Sequence, residues 1–508
     1  MNKIISIIPE PQSITVSNGI LFTENGYNLC TTEEFKDYAK FLAEQVSSTG
    51  VKCAVNSKDE NLCTIAVIFS KNLPQEEAYT LEINDSGVFI SASDRSGALF
   101  GIQTLKQLIM SNDGFIPCLT VEDWPEFKWR GFMLDTSRFF FSVDFIKKVL
   151  DAASFHKLNR FHWHLTDDQG WRFNVPKYPL LAKTGSRRLA HAAVHIDDPY
   201  NDFRKCRDYF YTDAMIKEVV AYAAMRNITI VPEVELPGHA SALLASYPEF
   251  GCTGGPYKVE NRWGIFKDVI CAGNEKIFNL YTEAFKTIVR LFPGKWIHIG
   301  GDECPKDRWN KCPKCQALIK KLKLDSEKQL QSWITKKMTE IVISMGKTPV
   351  GWDEVLDNTE KCPLPKDVIV QSWRQKGGGQ KAVETKHYAI ISPVNKCYLN
   401  YKNYNSYEEP GKLDTTTVKK AYSFTPIEED FGADAKKYVL GAECNMWTED
   451  VAASKLAEYM MFPRFCALSE CMWLPPEKKN FTRFKKSLEA HKARLDAMDI
   501  LYYKGKLE

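Results

Sequence analysis

The stretch Trp296-Ile297-His298-Ile299-Gly300-Gly301-Asp302-Glu303 decides how the rest of the chain is read. Ile297 and Ile299 are β-branched within a short apolar run, which predicts a buried strand. Gly300 and Gly301 stop it; lacking a Cβ, they let the backbone turn sharply and a ligand come close. Two adjacent carboxylates, Asp302 and Glu303, follow. In an α/β barrel the C-terminal ends of strands are where catalytic groups stand. Neighbouring carboxylates cannot both ionise freely, so one is pushed to a higher pKa, as acid–base chemistry requires. An Asp-Glu pair in an exposed turn does no chemistry. The apolar strand, the glycines and the aromatic strand ends elsewhere favour the catalytic reading.

Outward from this stretch, strand-like and helical runs alternate, which predicts a parallel sheet with crossover helices. The strands are Gly131–Asp135, Arg160–Leu165, Ile228–Glu235, Trp296–Gly300, Thr348–Trp352, Val368–Trp373, Tyr388–Ser392 and Tyr438–Glu443. Helical runs at Asp144–Phe155, Asp213–Met225 and Leu330–Ser344 fall between the earlier ones. Eight strands argue for a (β/α)8 TIM barrel rather than an open doubly wound sheet. No GxGxxG or GxxxxGK[ST] is present to suggest a nucleotide fold.

Asp123-Trp124-Pro125 marks the boundary with what precedes. Residues 1–125 read as a small α+β domain, with helices at Glu34–Ser48 and Arg95–Met110, a buried strand at Cys63–Phe69, and a hairpin turning at Asn84-Asp85-Ser86-Gly87. Residues 126–480 are the barrel. Residues 481–508 form a helical extension packed on it.

The 508 residues exceed one compact core. A net charge of +3 with no basic block argues against nucleic acid as a partner. No stretch approaches the ~20 consecutive apolar residues of a membrane helix. Pro9 and Pro11 cut the basic-then-apolar start too early for a signal peptide. Fifteen cysteines include Cys312-Pro313-Lys314-Cys315, with Cys304 nearby. A structural zinc needs four ligands, and no second CxxC or His pair accompanies this one, so a local disulfide or free thiols are expected. Cys252 and Cys271 flank a Gly-rich loop that they could bridge. Neither a metal nor a cofactor is expected.

The strand ends carry the chemistry. Asp135-Thr136-Ser137-Arg138 offers a guanidinium that can fork onto hydroxyls or a carboxylate, or serve as a rim ion pair. His162-Trp163-His164 puts two imidazoles on one side of a strand. That raises a metal-dependent barrel hydrolase as a competitor, with His239 or Asp302 completing the ligands. Against it, both histidines lie within the strand rather than past its end. Glu235-Leu236-Pro237-Gly238-His239 presents His239 over the barrel. Trp352-Asp353-Glu354, Trp373-Arg374, Tyr398-Leu399-Asn400 and Trp447-Thr448-Glu449 add an aromatic wall with polar anchors, as sugar sites have.

In these motifs and their order the sequence resembles the β-N-acetylhexosaminidases of glycoside hydrolase family 20, including Asp94-Arg95-Ser96-Gly97-Ala98 in the first domain. The resemblance implies an exo-acting retaining glycosidase. It would release terminal β-linked N-acetylglucosamine, with N-acetylgalactosamine a further candidate, using the substrate's own acetamido group as nucleophile. Glu303 would be the acid/base and Asp302 would hold the acetamido N–H. Tyr398 would donate to the acetamido oxygen, and Trp352, Trp373 and Trp447 would wall the ring. Arg138, Asp167 and Glu449 would grip outer hydroxyls, Asn400 the sixth, and His239 would support the acid pair. An oligosaccharide or glycoconjugate is the implied substrate. Alternatives are a disaccharide-releasing lacto-N-biosidase of the same family, the metal-dependent hydrolase using His162 and His164, and a lectin-like binder that keeps the pocket without turnover. The family habit of export implies a periplasmic or secreted protein whose signal peptide is absent from this sequence, against a cytoplasmic alternative. The oligomeric state stays open, a homodimer included. The sequence departs from the family pattern at Glu235, where Asp is usual, at Phe139, where His is frequent, and at Asn400, where Asp is common.

Overall fold

The computed structural model describes residues 4–188 and 209–508. Its first unit is a seven-stranded mixed sheet, in the spatial order Ser13–Phe22, Phe115–Asp123, Tyr79–Asn84, Gly87–Ala92, Cys63–Phe69, Tyr27–Thr31, Cys53–Val55. The expected hairpin is present, with Asn84 facing Gly87 across the turn. The helix Arg95–Ile109 starts where Asp94 accepts the Gly97 N–H at 2.9 Å, an N-cap that satisfies one of the four free donors of a helix start. The helix expected over Glu34–Ser48 is split into a 3-10 turn at Glu33–Phe35 and a helix at Ala39–Ser47.

Eight parallel strands then close into a barrel: Trp129–Asp135, Arg160–His164, Thr229–Leu236, Trp296–Gly300, Thr348–Trp352, Ile369–Ser372, Ala389–Ile391 and Val439–Met446. The eighth pairs with the first, Glu443 opposite Gly131. Crossover helices begin at side-chain caps: Ser142 accepts the Phe145 N–H, and Thr212 accepts that of Met215. Alternation along each strand sends every second side chain inward. At the N-terminal end the filling is apolar, from Trp129, Val231, Val350, Ile369 and Ile390. Above it comes a polar layer of His162, Glu233, His298, Gln371 and Glu443, all buried. Met133, Trp352, Tyr398 and Trp447 cluster at the C-terminal mouth.

The two units are joined by buried charge. Lys157 pairs with Asp123 at 2.7 Å, and Arg130 with Glu77 at 2.7 Å. The helix Phe481–Ala497 lies across this junction: Arg494 donates to Gln107 Oε1 at 3.2 Å, and His491 meets His156 at 2.9 Å. No helix among the described residues is long and apolar enough to cross a membrane. Cys252 and Cys271 are not bridged to each other; both converge with Cys312 and Cys315 in one cluster. The bridge across the Gly-rich loop is therefore absent and the four thiols are free; their convergence was not visible in the sequence, because Cys252 and Cys271 stand at the two ends of a loop.

Candidate active site

Gly300 and Gly301 adopt φ of +63° and +108°, the left-handed region that glycine tolerates. A Cβ on Gly300 would stand 1.8 Å from Glu235 Oε2, so this close packing also excludes a side chain. The turn delivers Asp302 and Glu303 to the mouth. Glu303 itself has φ +42° and His239 φ +45°. Non-glycine residues in this region are uncommon and concentrate at functional sites.

His239 Nε2 lies 3.5 Å from Asp302 Oδ2 and 3.7 Å from Glu303 Oε2. On its other side Nδ1 donates to Asp168 Oδ2 at 3.0 Å and approaches Asp167 Oδ1 at 3.3 Å. Burial alone would lower its pKa, but Asp167, Asp168 and Asp302 outweigh burial and raise it well above the usual value, which favours the cationic imidazole. Glu303 is raised, first by burial and then by the Asp302 charge, with His239, Arg138 and Lys412 opposing. One member of the acid pair therefore holds its proton to higher pH than a free carboxylic acid. Asp302 Oδ1 is buried and has no hydrogen-bond partner among the described residues.

A cavity of about 180 Å³ opens over this pair, lined by Arg138, His239, Trp352, Trp373, Tyr398, Tyr401, Lys412, Trp447 and Glu449 as well. It is small beside the about 300–1,000 Å³ of sites for drug-sized ligands. Trp352 and Trp447 have ring centres 5.8 Å apart, and Tyr398 and Trp447 6.0 Å. Trp352 is fixed by donating Nε1–H to Glu233 Oε1 at 2.9 Å, and Trp373 by donating to Glu354 Oε2 at 2.9 Å. Arg138 donates to Gln169 Oε1 at 3.0 Å, pairs with Asp135 at 3.2 Å and Asp167 at 2.8 Å, and lies over Trp447 at 5.0 Å. Glu449 pairs with Lys412 at 2.8 Å, while its Oε2 is buried without a partner among the described residues. A larger cleft of about 1160 Å³ lies at the opposite end of the barrel, lined by Lys71, Glu77 and Arg160 among others. Its adjacent acids, Glu76 and Glu77, are unlike the pair at the mouth: Glu77 is ion-paired with Arg130, which lowers its pKa against the effect of burial.

Asp302, Glu303, Arg138, His239, Trp352, Trp373, Tyr398, Trp447 and Glu449 thus meet around one cavity. Asp167 stands behind it, held by Arg138, His164 and His239. Asn400 is buried outside the lining, its side-chain amide unpartnered among the described residues. His162 and His164 are inside the barrel with both ring nitrogens on carboxylates. His162 meets Glu443 at 2.7 Å and Glu233 at 3.0 Å; His164 meets Glu233 and, at 2.9 Å, Asp167. Burial opposes their charging, but Glu443 and Glu233 raise His162 to about 9, and Glu233 with Asp167 raises His164 to about 10. Each ring nitrogen of the two histidines is taken up by a carboxylate inside the barrel, so neither imidazole is presented at the mouth where a catalytic metal would meet substrate.

These residues fall within the family match. The sequence model described as glycosyl hydrolase family 20, catalytic domain, matches residues 127–476, and that of domain 2 of the same family matches residues 5–124. The chain belongs to glycosyl hydrolase family 20. A β-hexosaminidase of Porphyromonas gingivalis is 36% identical over 99% of this chain, which spans 65% of that protein. A crystal structure of a family 20 exo-β-N-acetylglucosaminidase from Vibrio harveyi, in complex with N-acetylglucosamine, superposes with a TM-score of 0.86 at 28% identity, covering 99% of this chain and 80% of that one. A β-N-acetylhexosaminidase from Bacteroides fragilis superposes at 0.84 with 27% identity, covering 99% of each.

Family membership leaves the departures to be placed. Phe139 is buried in the barrel's main core. Glu235 is buried with neither carboxylate oxygen hydrogen-bonded among the described residues, and burial, Asp302 and Glu233 raise its pKa well above the usual range. Its surroundings beneath Gly300 favour the protonated carboxyl. Sequence reasoning gave no role to Glu233, Tyr401 or Lys412. Glu233 was within reach, since it has the same parity as Glu235 on one strand and faces the same interior. Lys412 opens a short strand, Lys412–Thr415, that pairs with Tyr401–Lys402 outside the barrel, where the barrel's periodicity does not point to it.

Proposed function

We propose that this chain is an exo-acting retaining β-N-acetylhexosaminidase that releases terminal β-linked N-acetylglucosamine through the substrate's own acetamido group. The observation that carries the reading is the pair at the cavity floor: Glu303 with a raised pKa beside Asp302, whose buried Oδ1 has no protein donor. Protonated Glu303 gives its proton to the glycosidic oxygen as the bond to the anomeric carbon breaks. The acetamido oxygen forms a bond to that carbon, and the cationic oxazolinium results. Asp302 accepts the acetamido N–H and offsets the developing charge. Glu303, now a carboxylate, takes a proton from water as the water oxygen attacks the same carbon, and the acetamido group is restored. Two displacements retain the configuration.

Tyr398 donates to the acetamido oxygen, and Trp352, Trp373 and Trp447 exclude water around it. Arg138 and Glu449 bind the outer hydroxyls, and with Lys412 they close the pocket beyond one sugar, which favours exo action. The Vibrio harveyi neighbour, described as an exo-β-N-acetylglucosaminidase holding N-acetylglucosamine, supports the same substrate class.

The test is release of the aryl group from an aryl β-N-acetylglucosaminide by wild type and Glu303→Gln, each with brief EDTA treatment. Wild-type turnover that survives EDTA and collapses in the variant is the expected result. Loss restored by added metal would revive the metal-dependent reading. Cleavage only of an aryl lacto-N-bioside would move the specificity to disaccharide release, and silence on both would leave a sugar-binding protein.

A further inference from the structure

Four cysteines from two separate loops meet 41 to 63 residues apart in sequence. Cys252 and Cys271 come from the segment between the third and fourth barrel strands. Cys312 and Cys315 come from the segment that follows the fourth strand and Glu303. The Cys271 sulfur is 3.7 Å from that of Cys312 and 3.7 Å from that of Cys315, and Cys252 is 3.9 Å from Cys315. All four sulfurs lie within 4.8 Å of one another. A disulfide would bring two of them to about 2.05 Å. Four thiolates set tetrahedrally at about 2.3 Å from one zinc ion are about 3.8 Å apart, which is the spacing found here.

The backbone is built for the same purpose. The Gly273 N–H is hydrogen-bonded toward the sulfurs of both Cys271 and Cys315. A Cβ at Gly273 would lie 2.4 Å from the Lys314 carbonyl carbon and 2.7 Å from the Cys315 nitrogen, so only glycine lets these two loops approach. Amides directed at ligand sulfurs orient the ligands and spread thiolate charge. Arg308, paired with Asp268 at 2.7 Å, also lies within electrostatic reach of Cys252. Cys271, Cys312 and Cys315 are buried, and Cys252 is half-buried.

We propose that Cys252, Cys271, Cys312 and Cys315 hold one structural zinc ion that staples the loop following His239 to the loop carrying Asp302 and Glu303. A set of four sulfurs with no oxygen or open position suits a closed structural zinc rather than a catalytic one. Binding takes Zn²⁺ and four thiols to a dianionic tetrathiolate and releases four protons, with no change of oxidation state. The staple sits where the two loops already touch: Ile270 N–H donates to Pro237 O at 3.1 Å, and Trp309 donates Nε1–H to Ile270 O at 2.9 Å. It stands independently of the proposed activity.

The test uses the full chain purified under reducing conditions. Elemental analysis should find about one zinc per chain, and a mercurial titration followed with a zinc indicator should release it as the thiols react. Cys252→Ser and Cys315→Ser should bring the zinc content close to zero and lower Tm. Cobalt exchanged into the wild type should give the thiolate-to-metal absorption and tetrahedral ligand-field bands of a four-sulfur site. Iron in place of zinc overturns the assignment of the ion. Metal-free protein with these thiols freely titrating, or a mass four hydrogens lighter from two disulfides, overturns the site. If the serine variants do not fold, the titration of unmodified protein still decides.

Discussion

Replacing Asp302 with Asn should move the basic limb of the pH–rate profile to lower pH by an amount the geometry bounds. Asp302 Oδ2 and Glu303 Oε2 both contact His239 Nε2, at 3.5 and 3.7 Å, so they are at most about 7 Å apart. At that separation and an effective dielectric near 20, the Asp302 charge costs ionised Glu303 about 2 kcal/mol and so raises its pKa. The Glu303 side chain is 35% exposed, so screening by water reduces that cost without changing its sign. The contribution of burial stays in the variant. Glu303 acts as the protonated acid, so activity falls as pH rises through its pKa, and a lowered pKa brings that fall earlier. The assay is kcat/KM against pH for a phenyl β-N-acetylglucosaminide, which reports the free enzyme. The variant should also lose about 10²–10³ in rate with its charge stabilisation. His239 is supported by the same Asp302 and would shift in the same direction. A 2,4-dinitrophenyl leaving group separates the two: it needs no proton, so a Glu303 limb flattens while a His239 limb persists. A limb that stays still or moves to higher pH with the phenyl substrate would refute the coupling.

Glu235→Gln tests the neutral buried acid. A carboxyl whose folded pKa is raised loses stability as pH climbs above its unfolded value of about 4.3, so the Tm of the variant should gain on wild type from about pH 5 upward; a difference flat in pH counts against a protonated Glu235. Trp352→Phe removes the N–H given to Glu233 and should cost about 1–3 kcal/mol in urea unfolding, with a raised KM; unchanged stability would mean Glu233 finds another donor. Lys412→Met frees Glu449 and should raise KM about tenfold with little change in kcat, whereas a collapse in kcat would place Lys412 in the chemistry.

The barrel was legible because each of its strands is a short apolar run that ends in a change of chemistry: Gly-Gly-Asp-Glu, Trp-Asp-Glu, Thr-Ser-Arg. The first domain was less so. Ser13–Phe22 is mostly exposed along one edge of the sheet, so it has no buried alternation to announce it. The residues around the cavity were readable from the strand ends, where position in the fold and chemical type agree. Lys412 has no such coincidence, and Asn400, two residues after Tyr398, is buried outside the lining with its amide unpartnered among the described residues. The cysteine cluster was invisible for a different reason. Its spacing is regular in space and irregular along the chain, and only folding of two loops against each other brings Cys252 and Cys271 to the CxxC.

The polar layer within the barrel ties stability and activity together. Barrel interiors are mostly branched aliphatics, whereas here cationic His162 and His164 alternate with Glu233 and Asp167, and the chain of contacts runs on through His239 to Asp302. Each buried ion would cost several kcal/mol alone, so every member depends on its neighbours keeping theirs. Glu233 also positions Trp352, one wall of the pocket. A Glu233→Gln variant should therefore lose stability and catalysis together, although Glu233 lies outside the cavity lining. The way to tell this from direct participation is the pH profile: a residue that only positions others lowers kcat/KM across the whole range while leaving the limb of Glu303 near its place, whereas a proton-transferring residue would remove a limb.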